Sequence, residues 1–181
     1  MYGLINHGIE RFVTDKFGAS DWRDVCMRAG ITDTKFEGML TYPDDVTYAL
    51  IGTICEKYDF APADALETFG SYWLGYCQTT IVGKLLKFGG EEFADILYSL
   101  NAMHARIKLS MPHLRPPHFE FEENPDGSYQ LHYSSEREGL EHLVIGLVRG
   151  LAEQTKTRID IQQDPEPAYP GIRASFTLRI I

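Results

Sequence analysis

A chain of 181 residues fits one domain, and its 44% hydrophobic and 12% aromatic content can fill a sizeable core, which excludes disordered and multi-enzyme chains. Seventeen Lys and Arg against 26 Asp and Glu give a net charge of −9 at pH 7 and a pI near 5.1, a field that repels nucleic acid. Cys26, Cys55 and Cys77 form no CxxC or CxxCH motif, and this odd, sparse count fits a reducing cytosol. The opening MYGLINHGIERF lacks the basic lead and apolar run of a targeting segment, and no stretch approaches a membrane span, so the chain is expected to be cytoplasmic.

In chain order, Leu4, Ile5, Ile9, Phe12, Val13 and Phe17 recur near a helical period, with Gly18 as the stop. Ser20 is placed to cap a second helix through Trp22, Val25 and Cys26 that closes at Gly30. Pro43-Asp44-Asp45 starts a third helix past Leu50 and Ile54, and Pro62 opens a fourth carrying Leu66, Phe69, Trp73 and Tyr76. Thr80 to Phe88 reads as a fifth, closed by Gly89-Gly90. Glu91 to about Met111 reads as a long sixth, with Phe93, Ile96, Leu97, Leu100, His104 and Ile107 on one side.

The pattern changes at Pro112. Leu114-Arg115-Pro116-Pro117 breaks helix, then Phe119 and Phe121, the turn Asn124-Pro125-Asp126-Gly127, and Tyr129, Leu131 and Tyr133 read as a hairpin. Helical spacing returns from Leu140 to Gln154, and Arg158 to Ile161 and Ile172 to Ile180 supply two more strands. The expected class is α+β: a helical N-terminal part followed by an antiparallel sheet with an inserted helix.

His104 falls on the apolar side of the sixth helix. A lone imidazole there is either a core histidine with a hydrogen-bond acceptor or a single nitrogen ligand facing a dry pocket, as haem iron requires. In Tyr133-Ser134-Ser135-Glu136-Arg137, an extended backbone would put Tyr133, Ser135 and Arg137 on one face. That face is either solvated or a convergent donor set for a carboxylate or phosphate, with Arg137 able to bind in bidentate fashion. His7, His113, His118, His132 and His142 are scattered, and Asp44-Asp45 and Glu91-Glu92 read as first-turn acids. No GxSxG, Walker or GxGxxG motif occurs.

MYGLINH, DDVTYALI, FGSYWLGYCQ, LNAMHARI, LRPP and HYSSEREGLEHLVIGL follow one another in an order that resembles the haem nitric oxide/oxygen binding (H-NOX) domains, end to end. The resemblance implies a single domain, 1–181, with a distal helical subdomain (1–62) and a proximal subdomain holding the sheet (63–181). It implies non-covalent haem b, His104 as iron ligand, and Tyr133, Ser135 and Arg137 on the haem propionates. Ile5 and Pro117 then press on the porphyrin, while Leu143 and Trp73 face the gas. Leu143 takes the place of a tyrosine that hydrogen-bonds oxygen in other members, so the expected ligands are nitric oxide and carbon monoxide. The expected output is a signal, sent by release of His104, to a separate effector, a histidine kinase or a cyclic-di-GMP enzyme, and not catalysis. An oxygen-binding or haem-redox sensor, a small haem enzyme, and a module for another flat apolar carboxylate are the alternatives.

Overall fold

The computed structural model describes residues 1–80, 83 and 89–181. Helix α1 (Gly3–Phe17) ends at Gly18, whose φ of +104° lies in a region that side chains avoid. The same glycine is the N-cap of α2 (Ala19–Arg28), so Ser20 sits inside the helix and makes no capping bond, a correction to its expected role. Pro43 precedes α3 (Asp44–Tyr58), with Asp44 and Asp45 in its first turn beside the positive end of the helix dipole. Helix α4 (Pro62–Gln78) carries proline at its start, where no intrahelical donor is lost. The helix expected from Thr80 to Phe88 lies largely outside the described residues.

Helix α5 (Phe93–Ser110) carries His104, and α6 (Glu141–Gln154) lies between strands in sequence. Strands β1 (His118–Glu123), β2 (Tyr129–Ser134), β3 (Ile159–Gln163) and β4 (Ala174–Ile180) form one antiparallel sheet in the order β1-β2-β4-β3. The β1–β2 connection closes through the Gly127 amide on the Asn124 carbonyl, 2.9 Å, with Gly127 at φ +79° as the turn requires. The α+β architecture is as expected.

Leu131, Phe176 and Leu178 from the sheet and Val144, Val148 and Leu151 from α6 form the largest cluster of buried residues. Helices α4 and α6 approach closely through glycines. A Cβ on Gly146 would stand 2.0 Å from the Glu67 carbonyl oxygen, and one on Gly70 would stand 2.5 Å from that of Leu143. A second cluster, with Ile9, Val13, Trp22 and Leu50, unites α1, α2 and α3, and a third joins Tyr2, Cys77, Met103 and Ile107.

Candidate functional site

A cavity of about 1070 Å³ opens where the three clusters meet, at the upper end of the roughly 300–1,000 Å³ typical of small-molecule sites. Ile5 on α1, Trp73 on α4, His104 on α5, Pro117, Tyr133 on β2, Ser135, Arg137 and Leu143 on α6 all line it. The eight residues expected at a haem site therefore line one cavity, although Ile5 and Leu143 stand 138 positions apart.

His104 projects from an α5 face packed by Leu97, Leu100 and Ile107. Its Nδ1 is buried without a hydrogen-bond partner, and burial pushes the imidazole pKa down to about 4 against the weaker opposing influence of the Pro117 carbonyl. The ring is thus neutral at pH 7. The Phe119 ring lies nearly parallel to it at 6.2 Å between centroids. One turn earlier Asn101 accepts the Phe119 amide at 3.0 Å and donates to the Phe119 carbonyl at 2.6 Å, which fixes the helix to the sheet's edge strand. Asn101 carried no signal in the sequence, because an asparagine in a helix is ordinarily a surface residue.

The Tyr-x-Ser-x-Arg donors converge by a different route from strand alternation. β2 ends at Ser134, and Ser135 and Arg137 lie in the bend that follows, held by the Arg137 amide donating to Ser135 Oγ at 3.0 Å. Tyr133 is buried, and burial raises its hydroxyl pKa while Ser135 opposes the shift, so the phenol remains a donor. The Arg137 guanidinium donates to Asp44 Oδ2 at 2.8 Å and to the Arg115 carbonyl at 2.9 Å. Asp44 also receives the Met1 ammonium. Burial works to raise the Asp44 carboxyl, but these two cations outweigh it and hold it below the usual carboxylate range. By its place in the sequence Asp44 is a helix-dipole acid alone, because its partner is 93 positions away.

Across from α5, the Trp73 indole covers α1 where residue 8 is glycine, a Cβ there falling 2.4 Å from Cζ3. Leu143 presents only an aliphatic side chain. His7, His132 and His142 make polar contacts with Tyr76, Ser175 and Glu67 at 2.7, 2.9 and 3.0 Å. All three cysteines are buried, and burial pushes Cys26 to about 11 and Cys77, in the cavity wall, to about 12. Their thiols are protonated and unreactive at neutral pH. Among the described residues no helix is long and apolar enough to cross a membrane.

A flat apolar macrocycle with one axial nitrogen ligand and two carboxylates matches what this cavity offers: apolar walls, an unpartnered imidazole nitrogen, and hydroxyl and guanidinium donors at its rim. Residues 2–163 match the family described as Haem-NO-binding. The soluble guanylate cyclase gcy-31 of Caenorhabditis elegans is 30% identical over 183 residues, covering 97% of this chain but 26% of that protein. The rat guanylate cyclase soluble subunit beta-2 is 33% identical over 88 residues, or 49% of this chain and 13% of that one. The chain thus spans about a quarter of the length of the first of these relatives, and less of the second. In fold it superposes on an H-NOX protein from S. oneidensis in the Fe(II)NO ligation state, with TM-score 0.85, 19% identity and 100% and 99% of the two chains covered. The unliganded Fe(II) H-NOX protein from K. algicida gives TM-score 0.82 at 19% identity, covering 100% and 97%. With the family matched over nearly its whole length and the cavity shaped for that family's cofactor, the chain belongs to the haem-binding H-NOX gas-sensor family.

Proposed function

We propose that the chain is a sensor of nitric oxide, able also to take carbon monoxide and excluding oxygen, which reports to a separate effector protein. Haem b, held without a covalent link, would supply a ferrous iron as the gas acceptor. His104 is the residue for the iron: its imidazole lines the cavity and burial keeps it neutral at pH 7. Tyr133, Ser135 and Arg137 are the donors for the propionates, and Ile5 and Pro117 are the aliphatic walls that shape the ring.

The observation that carries selectivity is Leu143. A hydrogen bond to a partly charged acceptor contributes about 1.5–3 kcal/mol, or roughly 10- to 150-fold in affinity. Bound oxygen relies on such a donor more than nitric oxide does, and leucine supplies none. Nor does it supply the acid–base group that peroxide or oxygen chemistry needs, which speaks against a small haem enzyme. The Trp73 indole N–H, also in the wall, is what an oxygen-binding sensor would use instead.

In this reading the signal is sent by release of His104. While His104 is held, α5 is fixed at its middle; once it is released, Asn101 on Phe119 and the packing of Met103 and Ile107 are what restrain the helix. A ligand moves this balance only by its different affinity for the two states. A change in the α5 surface is then available to an effector, for which a histidine kinase or a cyclic-di-GMP enzyme is the proposed class. The cytoplasm is the compartment in which we place it.

Visible spectra of the reduced protein in vacuum, air, carbon monoxide and nitric oxide test this reading. The expected Soret band shifts with the last two gases and stays unchanged in air before slow oxidation. A stable oxygen complex would overturn the selectivity, and a colourless protein that takes up no haem would overturn the whole reading.

A further inference from the structure

Helix α5 has a second apolar face that the haem reading does not use. Tyr98, Ala102, Ala105 and Leu109 are spaced four, three and four residues apart, which at about 100° per residue places them within one narrow stripe. All four are exposed, Tyr98 by 54% and Leu109 by 84%, while Met103 and Ile107 between them point inward. The edge contact of Tyr98 with Phe121, 4.7 Å between centroids, steadies that ring without covering it.

The spacing of this stripe is the same in both directions about a point between Met103 and His104. Two copies of α5 packed antiparallel therefore bring Tyr98 of one level with Leu109 of the other, and Ala102 level with Ala105. The alanines let the axes approach to the roughly 8–10 Å of packed helices. Charge favours the same orientation. Glu91 and Glu92 precede the helix, outside the first turn expected for them, and Asp95 lies in that turn, whereas no Asp or Glu occurs from Ile96 to Phe119, a stretch that carries Arg106, Lys108 and Arg115. Parallel packing would set like charges together. Antiparallel packing lays the acidic end of each helix along the basic end of the other.

We propose that the outward face of α5 is the two-fold interface of a homodimer, with a second copy of this chain as its occupant. One helix per copy makes an interface below about 1,200 Å², the class of weak and exchanging complexes. Association is therefore concentration-dependent. The proposal goes beyond the haem reading and needs neither haem nor gas, but it places the interface on the helix that carries His104.

Sedimentation velocity of the full chain over a concentration series, with thermal melts to confirm that each variant is folded, tests it. Wild type is expected to pass reversibly from monomer to dimer. Leu109→Glu and Ala105→Arg, both exposed changes, should raise the dissociation constant at least about tenfold, the usual cost of losing a central contact. Arg106→Glu should weaken pairing, and Asp95→Lys in the same chain should restore it, because each interface contains both charges twice. A wild type that stays monomeric at every concentration overturns the proposal. So does a dimer indifferent to Leu109→Glu, or a double charge exchange as weak as Arg106→Glu alone.

Discussion

At the scale of single residues, Arg137, the proposed propionate donor, has a carboxylate partner within the chain. It pairs with Asp44 at 2.8 Å, and a propionate would compete for the same donor. Both side chains are largely buried, so removing Asp44 leaves the Arg137 cation without its carboxylate partner. Asp44→Ala is therefore expected to destabilise the haem-free protein by about 1–3 kcal/mol, between the values for exposed and buried pairs. The loss should be smaller with haem bound, since a propionate then meets the freed guanidinium. Urea unfolding of both forms measures this, and an equal loss in each would show that Arg137 does not change partner. His104→Gly should lose the wild-type ferrous haem spectrum and regain it with added imidazole. Unchanged spectra without imidazole would remove His104 as the ligand. Leu143→Tyr should raise oxygen affinity by about 10- to 150-fold if the new hydroxyl reaches the gas, read from the air-equilibrated spectrum.

At the scale of elements, the packing of α4 on α6 depends on glycines that have no room for a methyl group. At Gly146 the obstacle is the Glu67 carbonyl at 2.0 Å, main chain that cannot rotate aside. Gly146→Ala should cost about 1–3 kcal/mol or more, the range of overpacked cores. Gly75, on the facing helix α4, has nothing within 4 Å of its would-be Cβ. Gly75→Ala should stabilise by about 0.5–1 kcal/mol through helix propensity. Thermal melts of the two alanine variants separate packing from propensity, and similar losses in both would refute the steric account. These contrasts also mark what a linear pattern carries. Periodicity places Leu97, Leu100 and Ile107 on the face of His104, since a helix repeats every 3.6 residues whatever it packs against. It says nothing of which glycine meets a backbone, nor that Ser135 and Arg137 leave the strand after Ser134. Asp44 with Arg137 and Asn101 with Phe119 escape a linear pattern for the same reason: each pair is made by the fold across distant sequence, and Asp44 and Asn101 alone read as ordinary surface.

At the scale of the molecule, the cavity is not enclosed by one core but lies where three meet. The α1–α3 cluster, the sheet with α6, and the group around Met103 and Ile107 each end on it. About 1070 Å³ between such clusters means that their inner surfaces find few partners unless something fills the gap, and contact energy is forfeited across any void. Haem that binds the folded state alone stabilises it by mass action, about 4 kcal/mol at a thousandfold excess over its dissociation constant. For a chain of this size each kcal/mol raises Tm by about 2–4 °C, so saturating haem should raise it by about 8–16 °C. His104→Gly retains the cavity and rim donors but loses the axial nitrogen, so its shift should be smaller and should recover with imidazole. The haem-free protein should also unfold less cooperatively, with near-UV signals from Trp22 in the first cluster and Trp73 at the cavity wall losing coincidence. Calorimetry of the two forms decides the matter: an equal Tm and an equally sharp transition would mean that the three clusters close on one another without the cofactor.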